Sequence, residues 1–224
     1  MRRPVKSPAP DGMARKNEVT HIKVNVKRPD RRSIYLDGEF AFSIAEGIFY
    51  DHGIEIGDRL TDGEINMLVS QDEQGKVKGA ALNLLSYRQR STRELQRKLL
   101  KKGWSMEMIE PVLRELEEKG FLNDREFAEM LARDRTGRKQ LGPRALKDEL
   151  MKAGVDRDMI EEILEDTYRQ HPPSVLIERL LKNKGIEPGE RLERKERARL
   201  INLLRRKGYT WEDMEPVISR LKSD

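Results

Sequence analysis

The chain has 224 residues, of which 36% are hydrophobic and 38% charged, a balance that suits thin helical layers with much surface per unit of core. It has no cysteine, which excludes disulfides and thiolate catalysis, and His21, His52 and His171 are too scattered to show metal-ligand spacing. Forty-five Lys and Arg against 40 Asp and Glu leave a net charge of only +5, so the placement of charge carries more information than its total. No run approaches the roughly 18 apolar residues of a membrane span, and the N-terminus lacks the apolar core of a signal peptide, so a cytosolic protein is expected. No glycine-rich phosphate loop, zinc-spaced His-Glu helix or serine elbow is present, and no enzymatic activity, cofactor or metal is expected.

Residues 1–18 carry Pro4, Pro8, Pro10 and Gly12 among basic residues and read as a disordered lead-in, with Met13 a second candidate start. From 19 to 75 a small α/β segment is expected. Ile22, Val24 and Val26 alternate onto one face, and Ser33–Leu36 meets Phe40–Ile44 across Asp37-Gly38, a hairpin turn in which Gly38 accepts positive φ. Short helices are expected over Ala45–Asp51 and Asp62–Val69.

The remainder reads as helical and repeats. Gly103, Gly154 and Gly208 lie 51 and 54 residues apart. Aligned on them, Leu95 and Leu99 coincide with Leu146 and Leu150 and with Leu200 and Leu204. Ile109, Val112 and Leu113 coincide with Ile160, Ile163 and Leu164 and with Met214, Val217 and Ile218, and Pro111 with Pro216. Such a period marks an array of small supersecondary units. The expected fold is mainly α: an elongated array of three tandem three-helix repeats over 76–122, 123–171 and 172–224, nine helices in all, with its handedness open. Capping boxes are expected at Ser91/Glu94 and Asn123/Glu126, with Leu122 stapling Phe127. Ser105 and Asp156 are further expected caps, and Pro143 follows Gly142 as a first helical residue. The three glycines are expected to close their helices in the left-handed conformation. Trp104 and Tyr209 are expected as half-buried anchors after the turn, with base stacking the alternative. Phe121 and Phe127 are assigned to the core.

Charge follows the repeat. Arg88–Lys102 holds seven basic residues and one acidic, Arg138–Lys152 five and two, and Arg191–Lys207 eight and two. The third helices reverse the sign, with five acids and one Arg in Ser105–Glu118 and six acids and one Arg in Asp156–Asp166. Stacked repeats would thus present a basic and an acidic ribbon, suited to an acidic polymer or to a protein filament, unless neighbouring helices simply pair with each other. A DNA-reading helix-turn-helix fits poorly, because the second member of each glycine-joined pair is the acidic one and would face phosphate.

Ala81-Leu82-Asn83-Leu84-Leu85-Ser86-Tyr87-Arg88, followed by Arg90-Ser91, Glu94-Leu95, Leu99 and Lys102-Gly103, closely resembles the first repeat of RecX regulatory proteins. Gly120-Phe121-Leu122-Asn123-Asp124 with Glu126-Phe127-Ala128 resembles the opening of that family's second repeat, and Tyr35–Phe42 its N-terminal hairpin. The resemblance covers about 20–221. It implies a modulator of the recombinase RecA, usually an inhibitor, that binds along the groove of the RecA filament on DNA and limits strand exchange, ATP hydrolysis and coprotease activity. It supplies no catalytic set. Charge and helical position then make Arg88, Arg90, Arg93, Arg97, Lys98, Lys101, Arg144, Lys147, Arg194, Lys195, Arg205 and Arg206 the candidate contacts to acidic RecA surface or DNA phosphate. A monomer that also touches single- or double-stranded DNA, with no membrane partner, is expected. The rival readings are a stand-alone, non-sequence-specific DNA-binding protein using the basic ribbon, and a helical scaffold for another acidic protein.

Overall fold

The computed structural model describes residues 17–187 and 189–223. The chain divides into two compact units, the first ending at Gly79 and the second starting at Ala80.

In the first unit, β1 (Val19–Val24), β2 (Arg31–Leu36) and β3 (Glu39–Ala45) form an antiparallel sheet in that order. Asp37 and Gly38 both take positive φ, +50° and +92°, as a tight hairpin turn matched to strand twist requires. The Asp37 carboxylate accepts the backbone N–H of Asn17 at 2.7 Å and of Glu18 at 3.0 Å. Asn17 and Glu18, expected in the lead-in, are thus tied to the hairpin turn, and the rest of the lead-in, with Met13, lies outside the described residues. Val19, Ile34 and Ile44 are fully buried with Leu36, Phe42, Ile54 and Leu68. Of the expected face of Ile22, Val24 and Val26, only Ile22 packs against the core. A register irregularity between Val19 and His21 brings Val19 and Ile22 to the core three residues apart, while Val24 is 56% exposed at the strand end and Val26 97% exposed beyond it.

After α1 (Glu46–His52), one helix, α2 (Asp62–Tyr87), runs through the short helix expected over Asp62–Val69 and on into the first repeat, expected from residue 76. Polar Ser70–Lys76 reads as a break, yet buried Asp72 is bound there by Arg31, which donates to both its oxygens at 3.0 and 2.7 Å, by Lys76 at 2.9 Å and by the Ala45 N–H at 2.8 Å. These bonds outweigh the ~1 kcal/mol helix cost of Gly75.

The second unit continues with α3 (Thr92–Lys101), α4 (Met106–Glu118), α5 (Asp124–Lys139), α6 (Pro143–Ala153), α7 (Arg157–Gln170), α8 (Pro173–Lys182), α9 (Arg194–Arg206) and α10 (Trp211–Ile218). With the end of α2, these are nine helices among the described residues, in the expected order. The aligned leucine pairs are all buried, as are Ile109, Val112, Leu113, Ile160, Ile163, Met214, Val217 and Ile218. Gly103, Gly154 and Gly208 take φ of +96°, +86° and +87°. After Gly154 and Gly208, the N–H groups of Val155 and Tyr209 reach back to Leu150 and Leu204, which closes the helix in a Schellman pattern.

Several local expectations change. Ser91 caps α3 through Glu94 N–H at 3.1 Å, but the Glu94 carboxylate turns to Arg88 and Arg90 instead of closing the box. Ser105 sits at the α4 N-cap without a side-chain bond. Phe121 is 56% exposed because Leu122, 4% exposed, takes the core position. Two capping boxes, Glu193/Glu196 on α9 and Thr210/Asp213 on α10, join the expected caps. A two-residue parallel pair, β4 (Arg191–Leu192) with β5 (Lys222–Ser223), ties the final segment to the entry of α9.

Candidate functional site

The basic second helices of the repeats, α3, α6 and α9, meet head to tail, and the two junctions use aligned residues. At the first, the α3 N-cap Ser91, itself fully buried, donates its hydroxyl to the carbonyl of Ala153, the residue before Gly154. At the second, the α6 N-cap Gly142 donates its backbone N–H at 2.8 Å to the carbonyl of Lys207, the residue before Gly208. Arg144 N–H adds a bond to Gly208 O at 3.1 Å. One helix N-terminus thus satisfies the orphan carbonyls of the next helix's C-terminus, with the two dipoles aligned favourably.

Only glycine permits this approach. A Cβ at Gly208 would lie 2.3 Å from the nitrogen and 2.5 Å from the Cβ of Ala145, and one at Gly142 2.7 Å from the Gly208 carbonyl. A Cβ at Gly154 would lie 2.7 Å from the Cβ of Arg93. Two phenols fasten the second junction: Tyr209 donates to Gln140 O and Tyr168 to Leu141 O, each at 2.9 Å. Burial pushes both phenols well above the usual tyrosine value, so they stay neutral donors. Tyr209 is 2% exposed, a buried strut and not the half-buried anchor its spacing implies, and its ring is closed to a base. Trp104 is half-buried, as expected.

The twelve candidate cations sort by what already holds them. Arg90, 9% exposed, donates to Leu84 O at 3.0 Å and to Glu94, so its donors serve the α2–α3 corner. Arg88 shares Glu94. Burial raises the Glu94 carboxyl, and its bonds from both arginines more than reverse that, holding it below the usual value. Lys147 pairs with Glu161 on the neighbouring acidic helix. Arg93 lies 3.9 Å from Asp156, and Arg97 donates to Lys152 O at 3.0 Å, both across the first junction. Part of the charge segregation is therefore salt linkage between neighbouring helices.

Among the described residues, Lys98, Lys101, Arg144, Arg194, Lys195, Arg205 and Arg206 form no ion pair within 4 Å, and all seven are exposed. Arg194 and Lys195 stand in the first turn of α9, where the helix dipole disfavours cations. Arg144, Arg205 and Arg206 converge on one groove at the second junction, which Trp211 also lines. Sequence spacing gives Trp211 no role beyond opening a helix; the only signal is an aromatic at a solvent-facing N1 position soon after Arg205-Arg206. Among the described residues, no helix is long and apolar enough to cross a membrane.

Three family models match in order: the regulatory protein RecX N-terminal domain over residues 17–61, the RecX first three-helix domain over 78–116 and the RecX second three-helix domain over 123–164. The regulatory protein RecX of Bacillus subtilis is 32% identical over 209 residues, 91% of this chain and 77% of that protein. That of Clostridium tetani is 29% identical over 94% of this chain and 97% of its own length. A crystal structure of regulatory protein RecX superposes with a TM-score of 0.66 at 25% identity, covering 91% of this chain and 99% of that one. The RecX structure from Lactobacillus salivarius gives 0.54 at 25% identity over 66% and 96%. The order of the matched domains and the length of the shared alignment place this chain in the RecX family of regulatory proteins.

Proposed function

We propose that the protein is a non-enzymatic regulator that inhibits the recombinase RecA by lying along the RecA–DNA filament, limiting strand exchange, ATP hydrolysis and coprotease activity. The observation that carries this reading is the head-to-tail line of α3, α6 and α9, which strings exposed, unpaired cations at Lys98, Lys101, Arg144, Arg205 and Arg206 along successive repeats. A filament repeats one subunit surface at regular intervals, and each repeat of this chain supplies a modest contact. Contacts made in series convert weak single-site affinity into avidity of about 10²–10⁴ for the assembled filament over a free subunit. The glycine junctions hold the spacing of those contacts, so binding does not have to order the line first.

The test is RecA-promoted strand exchange with reversal of paired charges, Lys98→Glu with Lys101→Glu on α3 and Arg205→Glu with Arg206→Glu on α9. Each pair is expected to raise the inhibitory concentration at least tenfold, and the two together more. Inhibition unchanged by both pairs would overturn the reading.

A further inference from the structure

We infer that the groove at the second junction is a binding site for a single-stranded nucleic acid, with one base stacked on the Trp211 indole and the flanking phosphates on Arg144, Arg205 and Arg206. The groove has a volume of about 570 Å³, within the ~300–1,000 Å³ typical of clefts that hold small ligands. Trp211 is the first residue of α10, and its backbone is fixed by reciprocal bonds between Thr210 and Asp213 at 3.2 and 2.8 Å. Trp211 is nevertheless 46% exposed. The other tryptophan, Trp104, is half-buried elsewhere.

The three guanidiniums come from two helices that the junction locks together, Arg144 from the start of α6 and Arg205 and Arg206 from the end of α9. Their spacing is therefore set by the Gly142–Gly208 contact and not by mobile loops.

Two carboxylates, Asp148 and Glu212, line the same groove and select among anionic partners. Glu212 is held ionised by a backbone bond, by Thr210 and by the Arg144 charge. An acidic peptide would bring its own carboxylates against this pair. A nucleotide can place phosphate on the arginines and the amino edge of a base on the carboxylates. Duplex DNA keeps its base faces stacked inside, so the site favours an unpaired strand.

The inference draws on Arg144, Arg205 and Arg206, which the filament reading also uses, but it needs no RecA. Its test is the anisotropy of a labelled oligodeoxycytidylate titrated with the full chain across a range of salt, beside a strand of the same length with abasic sites. Trp211→Ala is expected to weaken binding about five- to a hundredfold, and Trp211→Phe to restore most of it, which separates lost stacking from misfolding. The abasic strand should bind the native protein about as weakly as the intact strand binds the Trp211→Ala variant, and the two effects should not add. Arg205→Gln with Arg206→Gln should lower the slope of log affinity against log salt by about 1.4, roughly 0.7 for each phosphate no longer neutralised on a single strand. Equal affinity of the native protein and Trp211→Ala for the intact strand would overturn the site. So would displacement of the strand by polyglutamate at matched charge, which would assign the groove to an acidic protein segment.

Discussion

Replacing each repeat glycine by alanine separates what the backbone conformation demands from what the junction demands. All three glycines hold φ between +86° and +96°, and a non-glycine residue there costs about 1–2 kcal/mol. At Gly103 nothing lies within 4 Å of the added Cβ, so Gly103→Ala should cost that amount alone. At Gly208 the new atom meets the nitrogen, Cβ and Cα of Ala145 at 2.3, 2.5 and 2.9 Å. Backbone cannot swing aside as a side-chain tip can, which adds about 1–3 kcal/mol of overpacking, for a total of about 2–5 kcal/mol. Gly154→Ala should fall between, because its close neighbour is the Cβ of Arg93 at 2.7 Å. Urea unfolding gives the ranking. Amide exchange gives its location: the N–H groups of Gly142 and Arg144, bonded to Lys207 O and Gly208 O, should lose protection in Gly208→Ala and keep it in Gly103→Ala. Equal destabilisation by Gly103→Ala and Gly208→Ala would refute the junction as a packed contact.

Gln140 closes α5 with φ of +43°, so Gln140→Gly should raise stability in urea unfolding by up to about 1 kcal/mol, with no change in the Tyr209 bond to its carbonyl. Arg90→Ala removes the bonds to Leu84 O and Glu94 and should cost about 1–3 kcal/mol by urea unfolding. Once the folded fraction is matched, its affinity for RecA filaments should be unaltered. Burial raises the Asp72 carboxyl, but bonds from Arg31, Lys76 and the Ala45 N–H hold it below its ordinary value of 3.8. A carboxyl lowered by folding stabilises the native state above its unfolded value, and that contribution is lost as pH falls through the folded one. The first unit should therefore weaken as pH drops below about 4, read from exchange of the Ala45 amide. Asp72→Asn should abolish that acid dependence and cost about 3–5 kcal/mol at neutral pH, because it leaves Arg31 buried without its partner.

Much of the second unit is legible in the sequence, because leucine pairs four apart and glycines at helix ends report local geometry directly. Leu146 and Leu150 need no distant partner to declare a buried helical face. The continuity of α2 is not legible, since what joins its halves is Asp72 meeting Arg31, a residue 41 positions earlier on a strand. That Val19 joins Ile22 on the core is hidden for a similar reason: a one-residue irregularity beside Val19 breaks the parity that alternation assumes. Charge periodicity locates the basic helices but not which cations are free. Arg90 and Arg205 look alike in sequence, and only packing makes one a buried tie and leaves the other exposed. The tyrosine in Gly208-Tyr209 looks equivalent to the tryptophan in Gly103-Trp104, yet only Gly208 receives another helix and only Tyr209 is buried by it.

The most direct test of filament docking is the ATP hydrolysis rate of RecA preassembled on single-stranded DNA, followed as this protein is added and compared with its affinity for the same bare DNA at the same salt. Docking along the filament requires half-inhibition well below one molecule per RecA subunit, at concentrations well under those that coat bare DNA. Hydrolysis that falls only when the DNA itself becomes saturated, or that does not change at equimolar protein, would contradict it.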